Sequence, residues 1–367
     1  MKLECSRKEF AEALGLAGSA TSVRTALPIL QTILLDGSEG ASLRLVGCDG
    51  EMWAERKILA NVSEPGRVCV PYTTLNQLVS ALPDGTIQLE YADTTLYLRV
   101  GQSEWKLLAL PGNEFPEPPS VAGSAQLRLS MKEIRESVEA VSFAVSDDSA
   151  RPVLTGVLFR YDGQRLTMVA TDTHRLAVKQ IDREGIGVPI SVVVPEKALR
   201  AIKSLPIADP EEVTIEFDES RVGVDSGTAK VVSQLLAGSY PNWERVVPTE
   251  HTRLWTVDRT EMIDYVKRAM ILARDNANRV RFSGQPESIV ITVRSEERGE
   301  AKEQVPAIID NGEIDIAFNG KFVLDALQAM RGDGIRAELT EPARPAVFRS
   351  ADDESAQFCV IMPMAIS

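Results

Sequence analysis

The sequence predicts an α+β fold built from three tandem copies of one domain, each with two helices packed on antiparallel sheet. Three observations carry this. A strand-to-helix signature recurs at a near-constant interval of about 124 to 128 residues, a second helix start follows each first one, and the intervening stretches alternate in strand fashion.

The first signature is LECS-RKE, LRLS-MKE and WTVD-RTE. In each, a Ser or Asp stands three residues before a Glu, the capping-box pattern, giving Ser6/Glu9, Ser130/Glu133 and Asp258/Glu261. Apolar residues then follow at helical spacing: Phe10, Ala13, Leu14 and Ala17; Ile134, Val138 and Val141; Met262, Val266, Ala269 and Met270.

The second signature lies about 61 to 65 residues further on, where β-rich runs end at Val70-Pro71, Val194-Pro195 and Phe318-Asn319. PYTTLNQLVSAL, PEKALRAIKSL and NGKFVLDALQAM then open new helices, two of them with Pro in the first turn, where its missing N–H costs nothing. Turn residues stop them at Pro83-Asp84-Gly85, between Pro206 and Pro210, and at Gly332-Asp333-Gly334. Runs such as LTMVATDTHRLAVKQI and VTIEFDESRVGVDS alternate between Gly or Asp turns, as antiparallel strands with one packed and one wet face do. The copies are expected over 1–121, 122–247 and 248–367.

Composition narrows the function. The 367 residues are 44% hydrophobic and 25% charged, ordinary for a globular protein. No apolar run approaches the ~20 residues of a membrane span, and MKLECSRKEF lacks a signal-peptide core, so a cytoplasmic location is expected. Cys5, Cys48, Cys69 and Cys359 are scattered and are expected to be reduced thiols, not metal ligands. A net charge of -13 argues against a protein coated in basic surface, yet leaves room for basic residues gathered on one face.

No phosphate-loop, dinucleotide, zincin or nucleophile-elbow motif is present, and neither a cofactor nor a metal is expected. The only histidines are His174 and His251. Asp172 and His174, two apart, would share a face of a strand and suggest an acid–base pair or two ligands. The equivalent Asp49 of the first copy is followed by Gly-Glu-Met, so the Asp reads better as a recurring turn residue. Met362 and Met364 are thioethers that pack or oxidise. No catalytic site emerges.

The strings LPILQTILL, GVLFRYDGQRLTMVATDTHRLAV, Tyr240-Pro241 and the terminal VIMPM resemble the bacterial DNA polymerase III β-subunit family, the sliding clamps, over the whole chain. The resemblance implies three DNA-clamp domains and a head-to-tail homodimeric ring that encircles duplex DNA and tethers the replicative polymerase for processive synthesis, near the nucleoid. It implies no catalysis. The implied partners are double-stranded DNA held without sequence preference, the polymerase III α subunit, the clamp loader, other polymerases and repair proteins bearing clamp-binding motifs, and a second copy of the chain, with no membrane.

The resemblance also implies sites. A peptide-binding pocket would comprise Leu154, Thr171, His174, Arg175, Leu176, Pro241, Val246, Val360, Met362, Pro363 and Met364, with apolar walls for Leu and Phe anchors and hydroxyl and imidazole groups for polar atoms. Thr173 stands where the family commonly has Gly, the tail Ala-Ile-Ser lacks a basic residue some members carry, and Val153, Asn319 and Pro345 match poorly at the outer groove.

DNA contacts would come from Arg24, Lys132, Arg135, Lys197, Arg200, Lys203, Lys267 and Arg268. The helix at 195–205 supports this, because Ala198, Leu199, Ile202 and Leu205 fall on one arc and its three basic residues on the other. PYTTLNQLVSAL carries no basic residue, so the lining is uneven. Trp105 and Leu107 from one chain and Ile271 and Leu272 from the other would form the dimer seam. The rival readings are a peptide-binding scaffold that never encircles DNA, and a hydrolase using Asp172 and His174.

Overall fold

The computed structural model describes residues 1–22, 25–121, 123, 125–274, 277–311, 313–352 and 357–366. Among them are six α-helices: α1 Arg7–Gly18, α2 Tyr72–Ala81, α3 Met131–Ser142, α4 Glu196–Lys203, α5 Arg259–Ala273 and α6 Gly320–Ala329. Each follows a strand at a start the sequence marks, and apart from four short 3-10 helices the rest of the regular structure among the described residues is antiparallel sheet.

The threefold repeat is physical. In every copy the first strand pairs with the strand that follows the second helix: Lys2–Ser6 with Thr86–Ala92, Ala125–Ser130 with Glu212–Phe217, and Arg253–Asp258 with Gly334–Leu339. The first amide of each first helix then donates to the turn closing the second helix. Arg7 N reaches Gly85 O at 2.9 Å, Met131 N reaches Glu211 O at 2.9 Å, and Arg259 N reaches Asp333 O at 2.7 Å. One of the orphan donors of each helix end is thereby satisfied.

One of the three capping boxes forms in full and a second by half. Ser130 Oγ accepts from Glu133 N at 3.2 Å while the Glu133 carboxylate takes Ser130 N at 2.8 Å, and Asp258 accepts from Glu261 N at 2.8 Å. At α1 the box stays open: Ser6 holds the N-cap position without a side-chain bond. There Arg7 makes the tie, its guanidinium reaching Leu82 O at 2.6 Å and Asp84 at 3.2 Å.

Contacts divide the chain into two compact units, Met1–Ile134 with Lys197–Leu235, and Arg135–Glu196 with Leu236–Ser367. They differ from the sequence copies because hydrogen-bonded sheets run across copy boundaries. In the first unit, Met52–Leu59 pairs with Ala229–Gln234 inside a nine-stranded sheet. In the second, Arg175–Asp182 pairs with Gln357–Ile361 inside another nine-stranded sheet. The first unit also holds a five-stranded sheet ending at Ser103–Leu108, and the second a four-stranded sheet ending at Gly299–Pro306.

The expectation of one wet face holds for strands such as Glu212–Phe217 and Gly334–Leu339 but fails for central strands of both long sheets. Thr32–Asp36 and Arg165–Thr171 are buried almost throughout, not alternately. The second face is covered by connecting segments. Phe115 joins Leu30, Leu34, Val46, Cys48 and Cys69 in a small cluster of the first unit. Tyr240, Trp243 and Val247 cover Leu158, Val169, Leu176, Val193 and Val360 in the second. Strands buried on both faces lose the period-two signal that alternation reads.

Candidate functional site

The hairpin turn 171–175 organises the site. The Asp172 carboxylate accepts from His174 N and Arg175 N, each at 2.9 Å, and from Arg175 Nε at 3.0 Å. Asp49 does the same in the first copy, accepting from Glu51 N at 2.9 Å and Met52 N at 2.7 Å. The recurring Asp is a turn-former in both places, its oxygen mimicking a backbone acceptor, and it makes no acid–base pair with His174. Gly50 takes φ +99° in the first turn, and Thr173 takes φ +78° in the second, a left-handed conformation that a β-branched residue tolerates poorly.

One expected role changes. Thr171 Oγ1 donates to Arg175 O at 2.7 Å and accepts from Thr173 N at 3.1 Å. Its only proton is spent holding the turn, so the hydroxyl does not serve as a donor to a bound molecule. His174, by contrast, is exposed.

Arg175 is 8% exposed and lies between two rings, with its guanidinium carbon 4.4 Å from the Phe322 centroid and 5.4 Å from that of Phe143. Besides Asp172 it binds Asp325 on α6 at 2.6 Å, and Lys321 meets the same carboxylate oxygen at 2.7 Å. A buried guanidinium needs such partners. Arg175 therefore fastens α6 to the turn instead of pointing outward. The His174 ring stacks at 6.5 Å and 21° on the same Phe322.

The C-terminal segment closes the site. Met362 N donates to His174 O at 2.9 Å, and Met364 N to Ala317 O at 2.7 Å, so the segment is pinned to the turn at one point and to the strand Asp315–Asn319 at the other. Leu176 stands opposite Val360 in register. These two, 2% exposed each, form the floor with Val169 and Leu158. Tyr240 OH donates to Val169 O at 3.2 Å, and burial pushes its phenol well above the usual range. Leu154 is buried in the short turn Pro152–Thr155 that leads into the same sheet. The rim consists of exposed Pro241, Val246 at 42% exposure, and partly buried Met362, Pro363 and Met364.

Of the residues expected to form the pocket, Leu154, Thr171, Arg175, Leu176 and Val360 are buried, whereas His174, Pro241, Val246, Met362, Pro363 and Met364 are exposed or partly exposed. Phe322 and Asp325, absent from the sequence reading, meet His174 and Arg175 from α6. The available signal was a Phe in the first turn of an otherwise amphipathic helix, which reads as ordinary core.

The basic positions are separate. On α4, Ala198, Leu199, Ala201 and Ile202 are buried, Lys197 and Arg200 are exposed, and Lys203 is partly exposed. Lys197 Nζ lies 2.5 Å from Asp49. Lys132 is exposed and Arg135 partly buried on α3. Lys267 and Arg268 are exposed on α5, but Arg268 is bidentate to Glu303 at 2.9 and 3.0 Å and stacks on Tyr265 at 4.3 Å. That bond to Arg268 holds the Glu303 carboxyl below its ordinary range. Arg24 lies outside the described residues.

At the sheet edges, Trp105 and Leu107 pack partly buried against the core of the first unit, while Leu108, which the sequence reading passed over, is 82% exposed. Ile271 is 62% exposed, and Leu272 packs against the core of the second unit. Among the described residues no group of three or more His, Cys, Asp and Glu is placed to hold a metal ion, and no helix is long and apolar enough to cross a membrane.

Three family models match consecutive stretches of the chain: the N-terminal, central and C-terminal domains of the DNA polymerase III beta subunit, over residues 1–119, 128–242 and 244–365. A beta sliding clamp from Staphylococcus aureus is 30% identical over 366 residues, covering 97% of each chain. One from Synechococcus elongatus is 30% identical over 357 residues, covering 95% of each. Among solved structures, the Bacillus subtilis DNA polymerase sliding clamp aligns over 100% of both chains with a TM-score of 0.89 at 28% identity. The Pseudomonas aeruginosa clamp bound to griselimycin does so with the same TM-score and identity.

Proposed function

The chain belongs to the DNA polymerase III β-subunit family, the bacterial sliding clamps, and from that membership we propose a non-catalytic processivity factor of the cytoplasm. Two copies close head to tail around duplex DNA and tether the polymerase III α subunit, the clamp loader, and other polymerases and repair proteins through the groove at His174. The observation that carries this reading is the family match along all three copies, N-terminal to C-terminal, with no copy missing.

The sheet edges support closure. The five-stranded sheet ends on Ser103–Leu108 and the four-stranded sheet on Gly299–Pro306, and together they have as many strands as either of the two nine-stranded sheets. An edge strand is a template for another chain. Strand 103–108 of one copy against strand 299–306 of a second would repeat the seam found twice within the chain, with Leu108, Trp105 and Leu107 facing Ile271 and Leu272. In this reading the three copies are domains over 1–121, 122–247 and 248–367.

The charge pattern suits sliding. Weak phosphate contacts from Lys132, Arg135, Lys197, Arg200, Lys203 and Lys267 give affinity without sequence preference, and the ring supplies retention. Arg268 contributes less, because Glu303 already holds its fork. Arg24 stays in the proposal on family resemblance alone. For the groove, crystal structures of two relatives carry griselimycin, and we expect this chain to bind it between His174 and Met362.

The decisive experiment loads the protein onto nicked circular DNA with a clamp loader and then linearises the circle. Topological binding predicts release on cutting. A protein that stays bound after linearisation, or never stays on the circle, is a scaffold and not a clamp.

A further inference from the structure

Three sulfur-bearing residues of this protein are partly exposed, and two of them stand together. Of nine methionines, Met1, Met52, Met131, Met168, Met262 and Met330 are buried, leaving Met270, Met362 and Met364 partly exposed. The Met270 sulfur packs over Gly320, where an added Cβ would come within 2.4 Å of it. The four cysteines are all buried. Burial pushes the thiols of Cys5 and Cys359 up to about 12 and those of Cys48 and Cys69 to about 11, so none presents the thiolate that oxidants attack. The two remaining sulfurs flank Pro363 on the rim of the groove.

We propose that Met362 and Met364 are a reversible oxidation site at which peroxides switch off peptide binding. The inference rests on reading the groove as a peptide site. In the step, a thioether lone pair attacks one peroxide oxygen, the O–O bond breaks and an S–O bond forms. Sulfur is oxidised by two electrons, and the peroxide is reduced to water after proton transfer. The product is methionine sulfoxide, which methionine sulfoxide reductases return to the thioether.

The geometry keeps the damage in the groove. Met362 and Met364 are held by their own amides, on His174 O at 2.9 Å and Ala317 O at 2.7 Å, so the main chain that carries both side chains cannot leave without breaking these bonds. By strand alternation Met362 falls on the face that carries Phe358 and Val360, over the apolar floor. A sulfoxide oxygen there loses its water when an apolar peptide anchor seats and gains no donor in return. Such a loss corresponds to roughly a 10- to 100-fold drop in affinity.

The test uses the full chain, graded hydrogen peroxide, peptide mass spectrometry and anisotropy of a short fluorescein-labelled peptide ending in Leu-Phe. The expected result is sulfoxide at Met362 and Met364 ahead of Met270, a 10- to 100-fold weaker peptide, and recovery with the reductases. In a Met362→Leu, Met364→Leu double variant, whatever its starting affinity, peroxide should change nothing. Unaltered affinity with both residues oxidised overturns the inference, as does a double variant that loses affinity on oxidation like the parent. If the unoxidised protein binds no such peptide, the groove reading itself fails and takes this inference with it.

Discussion

The amide of Met362 donates to the carbonyl of His174 at 2.9 Å. It extends by one rung the ladder joining Arg175–Asp182 to Gln357–Ile361, and it places the partly buried Met362 beside the exposed His174. Since the bond is main chain to main chain, the rim holds its shape whatever side chains it carries. Truncation after Ile361 should therefore weaken peptide binding at least ~10-fold. Thermal stability should change little, because the paired strand is intact. Anisotropy and thermal unfolding of the truncated chain check this, and parental affinity would remove the C-terminal wall from the site.

Arg175 and His174 are adjacent but should behave oppositely. Arg175→Leu leaves Asp172 and Asp325 without their shared cation, a change that costs roughly 3–5 kcal/mol for a buried pair. Arg175→Lys should recover only part, having lost the planar fork that serves two carboxylates. His174→Ala touches an exposed ring and should leave stability within about 0.5 kcal/mol, while costing about 1–2 kcal/mol in peptide binding. Denaturant unfolding and anisotropy on the three variants separate the effects. A destabilised His174→Ala with normal peptide affinity contradicts the assignment.

Replacing Lys197, Arg200 and Lys203 of α4 by Ala removes three cations and no buried apolar surface. If all three meet phosphate, the log–log slope of DNA affinity against salt should shrink by roughly 2 to 3. The exposed Lys197–Asp49 pair contributes at most ~1 kcal/mol to folding, so the variant should remain folded. Salt titrations of DNA binding test this, and an unchanged slope removes α4 from the DNA contact.

Leu108→Lys places a charge on the most exposed apolar residue of the edge strand, and changing Ile271 and Leu272 to Ala trims the opposing side. Either change should convert a dimer to monomer with little effect on the fold, except that Leu272 packs on its own core and its loss costs about 2 kcal/mol. Light scattering at micromolar concentration reads the outcome. A surviving dimer in both variants places the seam elsewhere.

Much of the architecture was legible because it depends on local rules. Capping residues, Pro at helix starts and Gly-Asp turns act within a few residues, so six helix starts and their spacing could be read along the chain. Alternation failed where the connecting segments containing Phe115 and Trp243 cover a second sheet face. Residues buried on both sides show no period. Leu108 was missed for a related reason, since exposure on an edge strand depends on which neighbour is absent.

The sequence by itself determined the repeat, the helix starts and the divergence of the second copy at Asp172-Thr173-His174-Arg175. It also supplied most of the residues of the proposed groove, through segments whose resemblance to the clamp family is continuous in sequence. Only the tertiary structure decided which of those residues are buried and which are accessible, that the Thr171 hydroxyl is spent on its own turn, and that Arg175 is held by Asp325, 150 residues away. Turn and cap preferences are properties of short segments. Burial, by contrast, and the partner of a buried charge are set by whatever distant strand or helix the completed sheet brings alongside.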